Sequence, residues 1–242
     1  SAHIDEIFTA KSNLALQGED RDMSVLFADI RDFTTISERL SAKQLVALLN
    51  TYLTPMTEII FKHGGTIDKY VGDLIMAFWG APLPNSHHAE QAISAALAMQ
   101  RKLSELNAEL KAQGLDLIRI GIGINSGMMI VGDMGSQFRL NYTVLGDAVN
   151  LASRLEGLCK FYGAAIIVSE ATKTKQARFI FRQLDRVRVK GKAQAVNIYT
   201  PLADQSQASA LNADELACWQ QVLAHYRAQD WAQCGQSLAA LQ

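Results

Sequence analysis

Ser24-Val25-Leu26-Phe27-Ala28-Asp29-Ile30 and Lys69-Tyr70-Val71-Gly72-Asp73-Leu74-Ile75-Met76-Ala77-Phe78 each set one carboxylate into a run apolar enough for a central strand. A buried, unpaired carboxylate costs several kcal/mol, so such a group pairs with a cation or binds a metal. Ser24 to Ala28 is short and nearly uninterrupted, which suits a strand covered on both faces and puts Asp29 at its end. Thr66 to Val71 and Leu74 to Trp79 are separated by only Gly72-Asp73, the spacing of a tight hairpin with glycine at positive φ. With the hairpin beside the first strand, both carboxylates reach one edge, where hard oxygen ligands suit Mg²⁺ or Mn²⁺. Taken singly, Asp29 reads sooner as a helix cap and Asp73 as turn chemistry. Only the two together favour a shared ion.

Composition limits the alternatives. The 242 residues, 49% hydrophobic and 19% charged, are those of an ordinary globular chain that can bury one substantial core plus accessories. A net charge of −1 offers no global field for nucleic acid or an acidic membrane. Cys159, Cys218 and Cys234 lack metal-ligand spacing and read as reduced packing thiols of a cytoplasmic protein. No run approaches the ~18 to 20 apolar residues of a spanning helix, and no signal peptide is visible. The start, Ser1-Ala2-His3, lacks methionine and is expected of a fragment whose membrane or regulatory parts lie elsewhere.

Outward from the two aspartates, residues 1–22 read as a leader or linker helix. Ser41 caps a helix whose Leu45, Leu48, Leu49, Tyr52, Leu53, Met56, Ile59 and Ile60 form a core stripe ending near His63-Gly64-Gly65. A second long helix runs from Ala89 to Gln113, and His87-His88 before it reads as solvated loop. Ile118, Ile120, Ile122 and Ile124 alternate with Arg119, Gly121, Gly123 and Asn125, so one strand face is greasy and the other is bare enough for close approach. Val131 to Gln137 reads as a turn-rich excursion before a strand over Phe138 to Leu145. Gly146-Asp147 opens a helix to Tyr162 in which Asn150 and Arg154, four apart, share a face. Ala164 to Val168, Phe179 to Leu184, Arg186 to Val189 and Val196 to Thr200 read as strands, the last three around Lys190-Gly191-Lys192. Helices and strands alternate irregularly, which predicts an α+β fold with a mainly antiparallel sheet. After a small polar linker, Asn212 to Gln242 reads as a helical hairpin with Trp219, Leu223 and Tyr226 facing Trp231 and Leu238. The expected domains are therefore 1–22, 23–202 and 203–242.

From Met23 to Leu202 the chain resembles the class III nucleotidyl cyclases, the adenylyl and guanylyl cyclase catalytic domain. Several separated motifs carry the resemblance: Phe27-Ala28-Asp29-Ile30-Arg31-Asp32-Phe33-Thr34, Asp68-Lys69-Tyr70-Val71-Gly72-Asp73, Arg119 to Gly127, Gly146-Asp147-Ala148-Val149-Asn150-Leu151-Ala152-Ser153-Arg154, and Val189-Lys190-Gly191-Lys192. The resemblance implies a ferredoxin-like βαββαβ core and active sites formed between two copies in a head-to-tail homodimer. It implies that Asp29 and Asp73, with the Ile30 carbonyl, bind two divalent cations that acidify the ribose 3′-hydroxyl and neutralise the departing pyrophosphate. The backbone after Ile30, through Phe33 and Thr34, would cradle phosphate, and Arg119 would hold the triphosphate. From the partner copy, Lys190 would reach the triphosphate, Asn150 would orient the ribose and Arg154 would stabilise charge at the α-phosphate.

Base choice, by the same resemblance, rests on Lys69 and Thr143. A lysine at the first position donates to the adenine ring in adenylyl members, where guanylyl members tend to carry glutamate, so Lys69 points to ATP. Thr143 departs from the aspartate of many adenylyl cyclases; it can accept from the adenine amino group but gives up a charge-assisted contact. The threonine-bearing subgroup includes members similar to the bicarbonate-responsive soluble cyclases, which makes bicarbonate an expected activator to assay. The alternatives are a guanylate cyclase and a non-catalytic nucleotide-binding dimerisation module. A single-stranded RNA reader would want exposed sheet aromatics and a basic surface, and neither is evident.

Overall fold

The computed structural model describes residues 18–112, 114–136, 138–189, 194–206 and 213–241. Its first strand, β1 (Glu19–Ile30), is buried continuously over residues 23–28 because it lies in the middle of a sheet with helices on both faces. After it come α1 (Phe33–Glu38), α2 (Ala42–Lys62), β2 (Thr66–Val71), β3 (Leu74–Trp79), α3 (His88–Ala112) and β4 (Ile120–Ser136). β5 (Arg139–Leu145), α4 (Asp147–Tyr162), β6 (Ile166–Ser169), α5 (Glu170–Thr174), β7 (Phe179–Val187), β8 (Val196–Asp204), α6 (Ala213–Arg227) and α7 (Trp231–Ala239) complete the order. The sheet runs β2-β3-β1-β4-β6-β8-β7, with β5 paired to the far half of β4. Its first four strands are mutually antiparallel, and β6 joins β4 in parallel. This is the α+β, ferredoxin-like βαββαβ arrangement expected from the sequence. Among the described residues no helix is long and apolar enough to cross a membrane.

Local chemistry sets several boundaries. Ser41 and Gln44 form a reciprocal capping box at the start of α2. Gly72 takes φ 65° in the two-residue turn that brings Val71 opposite Leu74. On one sheet face Leu26, Ala28, Ile30, Ile122 and Ile124 pack against Tyr52, Met56 and Ile60 of α2 and Ile93 and Met99 of α3. On the other, Val25, Phe27, Met76 and Phe78 meet Val131 and Val144 of the β4–β5 hairpin and Val149 and Ala152 of α4.

Several expectations are corrected. Glu19 to Asp22 is strand, paired with residues 128–131 of β4, rather than linker. Val131 to Ser136 is no turn excursion: β4 continues through it because β5 pairs along its length, from Ile130↔Leu145 to Ser136↔Arg139. Gly135 is needed there, since a Cβ would lie 2.0 Å from the Arg139 carbonyl oxygen. β7 runs unbroken to Val187 with a register shift near Gln183, and β8 extends to Asp204, with Pro201 past the end of its pairing to β6. His88 is not solvated loop. It is 6% exposed, and its Nδ1 lies 2.8 Å from Ser24 Oγ at the head of a buried hydroxyl chain. That chain passes through Ser126, Thr172 and Ser169 to Asn125, which donates to the Ala148 carbonyl at 2.8 Å and so anchors the first turn of α4. In the C-terminal hairpin, Val222, Leu223 and Cys234 are buried, while Trp219 turns to the sheet and donates to the Gln183 carbonyl at 2.6 Å. Tyr226 and Trp231 do meet, edge to face at 5.7 Å, on an exposed surface.

Candidate active site

Asp29 sits one residue from the end of β1, and Asp73 occupies the tip of the β2–β3 hairpin that packs beside it. Asp73 is 7% exposed and accepts the Ile30 N–H at 2.9 Å, a bond that locks the hairpin tip against the end of β1. Burial, followed by the adjoining Asp73 carboxyl and then the charge of Glu156, pushes Asp29 up to about 7 from 3.8. Its Oδ1 is buried with no hydrogen-bond partner. Two adjoining carboxylates, one of them with an orphaned oxygen, form a negative pocket suited to a cation.

The donor set fits a hard divalent ion. Among the described residues no group of three or more His, Cys, Asp or Glu side chains gathers as a metal cluster. Mg²⁺, however, is commonly held by one or two carboxylates and substrate phosphates, with water filling the remaining positions. Asp29 and Asp73 are two such carboxylates, side by side.

Sequence reasoning missed Glu156 and Arg31 on this side of the site. Asp29 pairs with Gly121 across β1 and β4, and a Cβ on Gly121 would fall 2.8 Å from Glu156 Oε1. The α4 carboxylate therefore fills the space beside Asp29 that a side chain would take. Burial raises the pKa of Glu156, and Arg31 opposes that rise. Arg31 in turn donates to the Ala164 and Cys159 carbonyls, at 2.5 and 3.3 Å, holding the C-terminal end of α4 to the end of β1. The bare face of β4 thus admits a helix, not a ligand: a Cβ on Gly123 would sit 2.2 Å from Glu156 N.

The remaining expected residues lie in two further places. Lys69 and Thr143 are brought together by Asp68, whose Oδ2 accepts from the Thr143 hydroxyl at 2.5 Å and whose Oδ1 lies 3.1 Å from Lys69 Nζ. Asp68 was readable only as part of a motif, because its partner strand β5 is distant in sequence. Asn150 is exposed on α4, and Arg154, half-buried one turn on, has a buried NH1 without a partner. Among the described residues no hydrogen bond or ion pair joins these four to the Asp29–Asp73 pair of the same chain. Arg119 is exposed, with its carbonyl accepting the Arg31 N–H at 2.7 Å. Phe33 packs on the core and Thr34 is exposed at the start of α1, whose cap, Asp32, is left-handed at φ 58°. Lys190 lies outside the described residues.

Comparison with known proteins gives the family. A family model for the adenylate and guanylate cyclase catalytic domain matches residues 17–201. Adenylate cyclase 1 of Rhizobium meliloti is 40% identical over 180 residues, which are 74% of this chain and 27% of that relative, so the chain spans about a quarter of its length. The solved adenylyl cyclase CyaB from P. aeruginosa is similar at TM-score 0.73 and 38% identity, covering 78% of this chain and 97% of that one. The guanylyl cyclase Cya2 is similar at TM-score 0.71 and 34% identity, covering 78% and 95%.

Proposed function

The chain belongs to the adenylate and guanylate cyclase catalytic domain family, and on that premise we propose that it converts ATP to 3′,5′-cyclic AMP and pyrophosphate at sites shared across a homodimer. The observation that carries the reading is the Asp29–Asp73 pair, closed by the Ile30 N–H and left with a buried, unpartnered oxygen. Two divalent cations, Mg²⁺ or Mn²⁺, would supply there the positive charge that acidifies the ribose 3′-hydroxyl and neutralises the triphosphate.

The chain's own groups do the rest. Asp29, Asp73 and the Ile30 carbonyl provide hard oxygen donors, while the backbone through Phe33 and Thr34 lies against the phosphates and Arg119 holds the triphosphate from the same copy. The partner copy contributes the adenine-reading Lys69 and Thr143, Asn150 against the ribose, Lys190 toward the triphosphate, and Arg154. The unpartnered NH1 of Arg154 is suited to charge that grows at the α-phosphate as the 3′-oxygen attacks and pyrophosphate departs. The 3′-hydroxyl proton leaves to water or to an aspartate.

That no hydrogen bond or ion pair among the described residues joins Asn150 or Arg154 to the aspartates of the same chain, and that Arg154 NH1 is left without a partner, supports the shared site. Asp73→Asn and Arg154→Ala proteins, each inactive alone, are expected to recover activity when mixed, because one site of the heterodimer is then whole. No recovery where heterodimers demonstrably form would sink the shared-site reading. Turnover of ATP and GTP with Mg²⁺ and with Mn²⁺ tests the substrate. Similarity to Cya2 keeps GTP as the second reading, and an arm with bicarbonate tests the expected activator.

A further inference from the structure

The two base-reading side chains share one carboxylate. The Asp68 side chain on β2 is 1% exposed, and it is held against β5 by the Thr143 hydroxyl at 2.5 Å and the Val144 N–H at 3.3 Å, both on Oδ2. Lys69 Nζ lies 3.1 Å from Oδ1. A threonine hydroxyl owns one hydrogen and two lone pairs, whereas a carboxylate can only accept. The Thr143 hydrogen is therefore committed to Asp68, and Thr143 has only lone pairs left for a ligand. Lys69, an ammonium, can only donate.

We propose that Asp68 is the positioning residue that sets purine choice, by holding Thr143 as an obligate acceptor beside Lys69 as an obligate donor. This inference rests on the cyclase reading above and deepens it. Adenine presents a donor, its 6-amino group, next to an acceptor, N1; guanine presents an acceptor, O6, next to a donor, N1–H. An acceptor–donor pair therefore matches adenine at both positions and opposes guanine at both. A free threonine hydroxyl could rotate and serve either base, so the discrimination resides in the carboxylate behind it. Family members with aspartate at the Thr143 position have an acceptor there directly; in this chain Asp68 restores acceptor character through the threonine.

The test is Asp68→Ala, with kcat/KM measured for ATP and GTP on the purified full chain. Alanine takes away the acceptor that Thr143 and the Val144 N–H share, which frees the hydroxyl hydrogen to point at the base. The ATP-to-GTP ratio is expected to fall by roughly tenfold or more, the value of a buried hydrogen bond turned from matched to opposed. Thr143→Val is expected to lower the same ratio, and adding Asp68→Ala to it should change the ratio no further, because the carboxylate acts through the hydroxyl. A role confined to bracing β2 against β5 would lower both nucleotides together and leave the ratio intact, which would overturn the inference. If Asp68→Ala does not fold, Asp68→Glu, which keeps an acceptor-only group, is expected to retain the preference that Thr143→Val loses; loss in both or in neither would overturn it. A wild-type protein that turns over neither nucleotide, or prefers GTP, would defeat the adenylate cyclase reading instead.

Discussion

Gly123→Ala tests how helix α4 is seated, and with it the position of Asn150 and Arg154. An alanine Cβ at this place in β4 would lie 2.2 Å from Glu156 N and 2.3 Å from the Ala152 carbonyl oxygen, both helix backbone. Those atoms bound the helical turn that contains Arg154. Ordinary van der Waals contact begins near 3.4 Å, so α4 must lift from the sheet by about 1 Å. Overpacking of this kind costs about 1–3 kcal/mol, less than the ~5–15 kcal/mol that holds a domain folded. The protein is expected to stay folded by circular dichroism and to melt lower. Turnover should drop about a hundredfold, since a 1 Å misplacement of a catalytic group costs on that order. Gly157→Ala is the control: nothing lies within 4 Å of its Cβ, and alanine in a helix should be neutral or stabilising by up to about 1 kcal/mol. Mixing then assigns the damage. Gly123→Ala injures the Asn150–Arg154 half, so it should be rescued by Asp73→Asn to roughly a quarter of the wild-type sites, as expected for random pairing in a twofold dimer, and not by Arg154→Ala. Near-normal turnover of the folded variant, or rescue by Arg154→Ala, would refute the reasoning.

Divalent-ion binding should depend on pH through Asp29. Its proton, held up to about 7, must leave before a cation is bound, so Mn²⁺ affinity of the nucleotide-free protein is expected to weaken below 7 by up to about tenfold per unit, read by paramagnetic resonance titration. An affinity flat across that range would refute it. The same raised value means that Asp29 contributes stability to the metal-free fold below its ordinary carboxylate range and loses it as pH rises through about 7. The difference in melting temperature between wild type and Asp29→Asn should therefore change in that window and shrink with saturating Mn²⁺. Trp219 anchors the C-terminal hairpin through its Gln183 bond and the Arg182 guanidinium, 5.3 Å from its ring. Trp219→Phe should cost about 1 kcal/mol and Trp219→Ala about 3 kcal/mol, with early proteolysis within α6 and α7; a hairpin equally resistant in Trp219→Ala would place the anchor elsewhere.

How legible the molecule was depended on how far apart the deciding groups lie. The β2–β3 hairpin and the cap of α2 could be read because Gly72-Asp73 and Ser41 settle them within a few residues. β4 could not be read to its end. Gly132, Asp133 and Gly135 favour a turn locally, yet pairing with Thr143, Tyr142 and Leu140 of β5 outweighs that preference. Gly121 and Gly123 announced a close approach without naming what approaches, and Arg31, readable as a motif residue, gave no sign that it grips the far end of α4.

The site divides along the same line. Asp29 and Asp73 are placed by strand ends and a tight turn, which is why their pairing could be argued from two short segments. Asn150 and Arg154 are placed by a helix pressed onto two glycines of a strand and tied at its first turn to Asn125. Arg31 and Glu156 join the two groups inside one chain: Arg31 follows Asp29 and Ile30 at the end of β1 and holds the end of the helix bearing Arg154, and Glu156 reaches back beside Asp29. In a homodimer each copy gives its aspartates to one site and its Arg154 to the other. A cation drawn in beside Asp29 also changes the charge facing Glu156, and hence the seating of the Arg154 that serves the opposite site. On the shared-site reading, filling one site is expected to act on the second through α4, and Glu156→Gln should alter the Hill coefficient for substrate more than the turnover of a heterodimer that retains a single whole site. Equal effects on both would mean that the two halves are joined only by the dimer interface.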